Sequence, residues 1–501
     1  MKRSQKISAL IFWLLTASLF STGCQTLVIQ HFQARTNRSA IAEDFFRKLD
    51  ESVKLTRVQE ASVYRISGFP YLRTDRFLLS LKDRLGSDDA FTFWVAGLRQ
   101  LDQKARTHEI HNLPPSALKA LKNQLNLPAD PQLLIQKTFQ YAQALQEADA
   151  RQTQFKEILR SATKAPDEYS EVARWLGFYP VFSLVVKKAT LKAYRQVRAI
   201  HASPVSQLPV YGKLETFGPT PFIAFPLAQV VGWFSDANRN PLDIPQLSEE
   251  QMKTLIYSLA PTIVQDAQTD YDRIGKVIWQ DGRIQIDTAQ PTIYYYTTYT
   301  FIRGRPSLQL NYSFWYKGRY GPHAPWMERG PLDGLTVRVT LDQDGIPIFL
   351  DVVNNCGCYH FFAPKTQRVI PRPAKATVGP LVATELPENF PNDSLQLRIG
   401  AGWHQVQHLD AAALPPKSQT YNLVPYEELE ELPHSDGRRE SVFNSKGIMK
   451  GSNRIEPLFF FSMGIAKVGS MRQRGHHPLK LVGKDYFTNP FLFDQNFIYK
   501  K

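Results

Sequence analysis

Cysteine is scarce in this chain: its 501 residues include three, at positions 24, 356 and 358. Because Cys24 lies in the N-terminal segment, a single pair is left for the rest of the chain. One pair cannot supply the set of disulfides that stabilises small secreted domains. Burial of apolar side chains must therefore stabilise this fold.

Long apolar runs and common catalytic motifs are also missing. After the first 24 residues, no stretch reaches the roughly 18 uninterrupted apolar residues that a membrane span needs, so the chain is not polytopic. There is no phosphate-binding glycine loop, no HExxH and no GxSxG. The carboxylate pair of a glycosidase is not recognisable either, and the sequence shows no internal repeat.

The N-terminal segment has the order of an export signal. Lys2, Arg3 and Lys6 precede an apolar run at residues 7–20, and small residues follow at 21–23. Such a segment is typically removed after export, and we exclude it from the analysis of the fold. The alternative is an uncleaved anchor helix, for which the apolar run is short.

The end of this segment, Ser21-Thr22-Gly23-Cys24, resembles the bacterial lipobox, although Ser21 stands where leucine is usual. The resemblance implies cleavage after residue 23 and attachment of lipid, palmitate included, to Cys24. Gln25 follows in place of aspartate, which in lipoproteins of this kind implies the outer membrane. We therefore expect a lipid-anchored protein on the periplasmic face of that membrane.

The net charge is strongly positive. Removal of residues 1–23 takes away three basic residues and no acids, which lowers the charge from +14 to +11. This balance suits an anionic envelope component, whether phospholipid, lipopolysaccharide or cell wall, although ordinary solubility explains it equally well. Nucleic acid would suit the charge but not the compartment, so we expect no nucleic-acid partner.

Hydrophobic periodicity changes along the chain. Residues 24–205 follow a helical period, residues 206–246 form a connector rich in proline and aromatic residues, and residues 247–501 change to a period of two. Asp281-Gly282 and Asp344-Gly345 are hairpin turns within this last part. We therefore predict an α+β protein, with an N-terminal helical bundle and a C-terminal domain built on an antiparallel β-sheet.

Two helical-region segments have alternative interpretations. Residues 67–76, which are aromatic and charged, either face a cleft or pack as an ordinary loop. Residues 178–200 form an amphipathic helix with an apolar stripe that includes Phe182 and Val185, and with lysines largely outside it. This helix either lies on a membrane surface or, as base rates favour, packs its stripe into the bundle.

Several motifs of the C-terminal half stand out: Gln309-Leu310-Asn311-Tyr312, Asp333-Gly334-Leu335, Cys356-Gly357-Cys358-Tyr359-His360, Met463-Gly464-Ile465, Met471-Arg472-Gln473 and Gly475-His476-His477. Together they resemble a family of uncharacterised proteobacterial envelope proteins. The resemblance implies location in the envelope. It implies no catalytic residues, because that family has no known activity.

A metal site is one interpretation of these motifs. The thiolate and imidazole ligands would suit zinc or copper, and they come from Cys356, Cys358, His360, His476 and His477. On an extended strand, positions i and i+4 lie about 13 Å apart, too far to share one ion. The chain would have to curl at Gly357, which glycine permits. His404 and His408 are further candidate ligands that share a face only on a helix.

Thiol catalysis and a structural role are the other two interpretations. Cys358 or Cys356 could act as a nucleophile with His360 or His477 as the base, in a cell-envelope hydrolase. The structural alternative is a disulfide or a pair of buried thiols that shapes a tight turn. We favour the structural role, within an envelope protein of unknown activity, and keep the metal- or thiol-dependent hydrolase as the alternative.

Arg472 and Arg474 lie in a basic segment beside a glycine turn. Arginines in such a place can bind phosphate or carboxylate. A solvated basic loop is the plainer interpretation.

Overall fold

The helices and strands below come from a computed structural model, which describes residues 37–500 except 129, 222, 374–377 and 414–417. The predicted export signal at residues 1–23 and the predicted lipidation site Cys24 lie outside the described residues. Within the described residues, no helix is both long enough and apolar enough to cross a bilayer.

The α-helices of the described residues follow the caps and periods of the sequence. Pro131 begins a long helix, as predicted, with Asp130 accepting from the backbone N–H of Gln132, and Ser248 and Gln251 form the predicted capping box. The helices are α1 (Asn37–Thr56), α2 (Arg76–Leu81), α3 (Asp88–His111), α4 (Pro115–Leu125), α5 (Pro131–Ala150), α6 (Phe155–Ala162), α7 (Glu171–Leu176), α8 (Tyr179–Ala202), α9 (Leu227–Trp233), α10 (Glu249–Ser258), α11 (Pro457–Phe460) and α12 (Leu492–Asn496).

The strands concentrate after residue 212, where β-branched and aromatic residues are frequent. They are β1 (Tyr64–Ile66), β2 (Phe69–Thr74), β3 (Lys213–Pro219), β4 (Thr262–Ala267), β5 (Lys276–Gln280), β6 (Arg283–Asp287), β7 (Thr292–Ile302), β8 (Arg305–Arg319), β9 (Gly330–Leu341), β10 (Pro347–Asn354), β11 (Phe361–Pro364), β12 (Val369–Pro371), β13 (Ser394–Ile399), β14 (Val406–Ala412), β15 (Gln419–Pro425), β16 (Leu432–Pro433), β17 (Arg439–Glu440) and β18 (Phe497–Tyr499).

Ten of these strands form one sheet in the order β11-β10-β9-β8-β7-β15-β3-β4-β13-β14. Both Asp-Gly turns are hairpins, as predicted: Asp344-Gly345 joins β9 to β10 in this sheet, whereas Asp281-Gly282 joins β5 to β6 in a separate one. The sheet is mixed rather than purely antiparallel, because β15 runs parallel to β7 and β3, and β13 runs parallel to β4. Long connections free these strands from hairpin geometry.

Contacts divide the chain into two compact units. The first holds the segment that ends at Thr56, Val63–Thr74 and Val95–Ala165; the second holds Arg57–Ser62, Asp75–Trp94 and Pro166–Lys501. Helices α7 and α8 thus belong to the second unit, and β3, inside the predicted connector, lies in its sheet. The predicted domain boundaries stay predictions, since contact density does not test which segments fold independently.

The first unit is mainly helical but contains the β1–β2 hairpin, so a helical bundle is not confirmed. A buried ionic network crosses it. Arg73 donates to Asp102 at 3.0 Å and to Glu109 at 2.7 Å, and Arg106 donates to Asp102 at 2.9 Å. All four side chains are almost completely buried. Although burial raises the pKa of Glu109, Arg73 and Arg65 outweigh it and lower that pKa to about 2.

In the second unit, both faces of the sheet are covered. Every residue of β8 from Pro306 to Tyr316 is buried. Successive side chains of a strand point to opposite faces, so a sheet with one face in water would bury only every second residue. One side packs on α9 and α10 through Phe314 and Tyr312, and the other side meets a cluster that includes Trp315 and Cys356. The Cys-Gly-Cys segment therefore lies against the sheet.

Candidate functional site around the Cys-Gly-Cys turn

The β9–β10 hairpin brings the chain to a tight turn at Cys356-Gly357-Cys358. The Asn354 N–H donates to the Cys358 carbonyl at 3.1 Å, and the Gly357 N–H donates to the Asn354 carbonyl at 2.7 Å. Gly357 has a φ of +93°, and a Cβ atom there would lie 2.6 Å from the Pro478 carbonyl oxygen. Only glycine fits this close approach. The chain thus curls at Gly357, as a metal site would require and as a structural turn would too.

The two thiols of this turn are adjacent and free. Cys356 is buried beside Trp315, Met449 and Met471, and Cys358 packs against the same cluster. The Cys356 thiol, burial and the carboxylate of Glu456 together raise the pKa of Cys358 well above its usual value. A nucleophilic cysteine needs a lowered pKa. This environment therefore does not activate Cys358.

His360 is held by a hydrogen bond to a buried carboxylate. Its Nε2 lies 2.7 Å from Oδ2 of Asp351. The Asp351 carboxylate also accepts two hydrogen bonds from Arg338, one at Oδ1 (2.9 Å) and one at Oδ2 (2.6 Å). Burial lowers the pKa of His360, and the hydrogen bond to Asp351 offsets this only in part. The imidazole of His360 is thus engaged across β9 and β10, with Arg338 stacked 3.6 Å above the Phe487 ring.

His476 and His477 are adjacent in sequence but have different surroundings. His476 Nδ1 lies 2.8 Å from Glu168 Oε1, and its Nε2 lies 2.6 Å from the Ala61 carbonyl oxygen. His477 is buried, and neither ring nitrogen has a hydrogen bond of normal geometry to the described residues. Burial, followed by the charge of Arg472, lowers the pKa of His477 to about 3. His477 is therefore neutral at physiological pH.

These positions do not combine into a metal centre. Within the described part of the chain, no group of three or more His, Cys, Asp or Glu side chains is arranged to hold a metal ion. His404 lies in the turn before β14 and His408 lies within that strand, so they do not share the helical face that the metal hypothesis required. Cys356 and Cys358 share one apolar cluster, whereas His360 and His476 each bind a carboxylate.

The two candidate anion-binding arginines have internal partners. Arg474 donates to Glu427 at 2.9 Å and to Glu430 at 2.7 Å. Arg472 is buried and donates to the Ala466 carbonyl oxygen at 2.5 Å. Burial lowers the pKa of Arg472, whereas Glu430 and Glu427 overcome burial and raise that of Arg474. Neither guanidinium is presented to a ligand in this arrangement.

A buried His–carboxylate network lies nearby, and sequence patterns did not indicate it. His404 Nδ1 is 2.8 Å from Asp333 Oδ2, and His404 Nε2 is 3.1 Å from Asp272 Oδ1. The ring stacks on Tyr316 with a centroid distance of 3.9 Å, and Arg319 donates two hydrogen bonds to Asp333. No local motif signals this network, because its carboxylates lie far from His404 in sequence.

The pKa values of His404 and Asp333 are shifted in opposite directions. Burial lowers the pKa of His404, but the hydrogen bonds to Asp272 and Asp333 outweigh it and raise that pKa above 6.5. Burial raises the pKa of Asp333, yet Arg319 and His404 outweigh it and leave the pKa far below its usual value. The two carboxylates thus favour the protonated form of the imidazole that lies between them.

Two glutamates beside the turn differ in their partners. Glu328 accepts from Arg319 at 2.5 Å, from the Tyr359 hydroxyl at 2.5 Å and from Trp403 Nε1 at 3.0 Å. Glu456 is buried and has no ion-pair partner within 4 Å among the described residues. Burial, with a contribution from the Glu328 charge, raises the pKa of Glu456 to about 7. Glu456 is therefore able to exchange a proton near neutral pH.

A cavity of about 730 Å³ lies in the first unit, lined by α1 and by residues 65–70 and 72. Part of the aromatic segment 67–76 therefore faces a cleft, one of its two predicted interpretations. Among the charged groups of the lining, Arg47 donates to Asp44 at 2.6 Å, and Arg65 pairs with Asp50.

Comparison with known protein families, curated proteins and solved structures finds no match to this chain. Functional inference therefore depends on the residues themselves.

Proposed function

We propose that this chain is an exported, lipid-anchored protein of the cell envelope, tethered to the periplasmic face of the outer membrane by lipid on Cys24. The leader carries this proposal: a basic start, an apolar run and Gly23-Cys24. The mature net charge of +11 suits an anionic neighbour such as phospholipid, lipopolysaccharide or cell wall. An N-terminal helical bundle is part of the same proposal.

Metabolic labelling with a fatty acid tests the anchor. We expect label on the wild-type protein and none on Cys24→Ala, which should also accumulate unprocessed. Cys356→Ala is the matched control, since it removes a buried thiol and leaves the leader intact. An unlabelled wild-type protein, or equal labelling of Cys24→Ala, would contradict the proposal.

Within this protein, the Cys/His segment serves a structural role. The support is that His360 and His476 each bind a carboxylate, while Cys356 and Cys358 pack against an apolar cluster. Metal content and titratable thiols, measured together on the purified protein, test this role. We expect two thiols after reduction and no stoichiometric zinc or copper; bound metal that Cys358→Ser releases would contradict it.

An envelope hydrolase is the second candidate, and Glu456 is the observation that favours it. A buried carboxyl with a pKa of about 7 can donate and accept a proton at neutral pH, which hydrolysis requires. In this version, Glu456 replaces the predicted Cys358 and His360 in the catalytic role. The arrangement names no substrate, so the assay must survey envelope polymers and lipids.

Purified protein incubated with peptidoglycan, lipopolysaccharide or phospholipid tests the hydrolase. Activity should vanish in Glu456→Gln and persist in Cys358→Ser. The activity of the wild-type protein should change with pH around 7, the pKa of Glu456. Activity that Cys358→Ser abolishes while Glu456→Gln leaves it intact would assign catalysis to the thiol instead.

A further inference from the structure

The second unit exposes apolar side chains on α7, on the first half of α8 and on the segment at residues 455–461. Large side chains there are mostly solvent-exposed: Trp175 at 78%, Phe178 at 70%, Val185 at 65% and Leu458 at 73%. Folded monomers rarely expose so many neighbouring apolar residues unless the surface binds something. We call this the α7–α8 surface.

Hydrogen bonds hold the parts of the α7–α8 surface together. The Ser170 N–H donates to the Gly464 carbonyl at 2.7 Å, and Arg174 Nε donates to the Met463 carbonyl at 3.0 Å. At the turn between the helices, a Cβ atom on Gly177 would lie 2.5 Å from Ser462. The exposed residues of both segments therefore belong to one continuous surface.

The two halves of α8 differ in their packing. Tyr194 and Val197 pack on the core of the large sheet, and the His201 ring lies 4.9 Å from that of Phe361. Phe182 and Val185, which the bundle interpretation of the stripe would bury, are exposed instead. The second half thus anchors the helix, and the first half presents its apolar side chains to solvent.

Charge on α8 identifies the partner. Its 24 residues include no Asp or Glu. Lys188 and Lys192 are exposed and follow Val181 at i+7 and i+11, so they continue the face that Val181 and Val185 begin. An apolar patch with aromatic residues beside lysines is the pattern of helices that lie in the interface of an anionic bilayer.

We propose that the α7–α8 surface binds the surface of an anionic phospholipid bilayer, as a second membrane contact that is independent of the lipid on Cys24. Apolar and aromatic side chains enter the headgroup boundary, while Lys188 and Lys192 contact lipid phosphates. A second copy of the chain is disfavoured as the occupant, because pairing two such surfaces would bring their lysines together. Tethered by its lipid, the protein would lie with α8 along the membrane.

Quenching by brominated phospholipid tests the contact. Full-length protein is inserted into vesicles of phosphatidylcholine and phosphatidylglycerol whose acyl chains carry bromine, and the emission of Trp175 is taken as the difference between wild type and Trp175→Phe. We expect loss of most of the Trp175 emission. The quenching should weaken in vesicles without phosphatidylglycerol, and also in the double variant Lys188→Gln with Lys192→Gln.

Val185→Glu should abolish this quenching, because a carboxylate would enter the apolar boundary. Val231→Glu is the matched control: Val231 is 48% exposed on α9, which is not part of the α7–α8 surface, and its replacement should leave Trp175 quenched. Both positions are exposed, so neither change disturbs the core.

Three results would overturn the proposal. Unquenched Trp175 in vesicles that retain the labelled protein would refute the contact while the lipid anchor stands. Cross-linking between α8 residues of two copies would assign the surface to self-association. In lipid-free protein, Trp175 could also be protected from aqueous quenchers. If removal of residues 1–23 abolished that protection, the leader would be the segment that covers the α7–α8 surface. Absence of fatty-acid label would instead refute the anchor alone.

Discussion

The His404 network offers the sharpest test of the buried electrostatics. The change is His404→Asn, chosen because asparagine tolerates the left-handed backbone of this position, where φ is +54°. Asparagine keeps the side chain polar but cannot carry the charge that Asp272 and Asp333 surround. Since breaking one partner out of a buried ionic group costs about 3–5 kcal/mol, we expect a loss of that size in the free energy of unfolding.

The effect has a defined pH dependence. Because the pKa of folded His404 is raised above 6.5, its contribution is fully present below pH 6.5 and is lost as pH rises through the folded-state pKa. The lowered pKa values of Asp272 and Asp333 act in the opposite direction: their contribution is present above 3.8 and is lost as pH falls. The difference between wild type and His404→Asn should therefore be largest between these limits and should shrink in alkali.

Urea unfolding followed by tryptophan fluorescence measures this difference, because every tryptophan after residue 37 lies in the second unit. His408→Asn is the control, since His408 is half-buried on β14 and lies outside the network. Equal losses in both variants, or a loss in His404→Asn that stays constant from acid to alkaline pH, would refute the reasoning.

Three further predictions concern the turn and its neighbours. Gly357→Ala should destabilise the protein by more than about 1 kcal/mol, the cost of an incompatible φ, because the new Cβ would also meet the Pro478 carbonyl. Gly282→Ala is the control: Gly282 has a φ of +70° and open space around it, so this variant measures the backbone cost alone. Thermal unfolding compares the two. Cys358 should react at least about tenfold more slowly with a maleimide at pH 7 than after unfolding in urea, since its pKa is raised; equal rates would show an activated thiol. The Glu456 carboxyl keeps its proton in the folded protein up to a pKa of about 7, whereas in the unfolded chain it loses the proton near pH 4.5. The free energy of unfolding should therefore fall by about 3 kcal/mol as pH rises from 4.5 to 7. Urea titrations should show that Glu456→Gln removes this pH dependence.

Local patterns were sufficient for much of the secondary structure. The start of α5 at Pro131, the capping box of α10 and both Asp-Gly hairpins are confirmed, because caps and two-residue turns depend on neighbours within a few positions. The same patterns did not reveal that β15 inserts between β7 and β3, since no short turn dictates where a strand pairs after a long connection.

The candidate site shows the same division. The sequence by itself determined that Gly357 can curl between two thiols and that α8 carries lysines without acids, and it predicts a leader that ends at Gly23. Only the tertiary structure decided that His404 lies between Asp272 and Asp333, that His360 binds Asp351, and that the first half of α8 is left uncovered. Backbone conformation follows from adjacent residues, whereas protonation and burial depend on groups that folding brings together from distant parts of the chain.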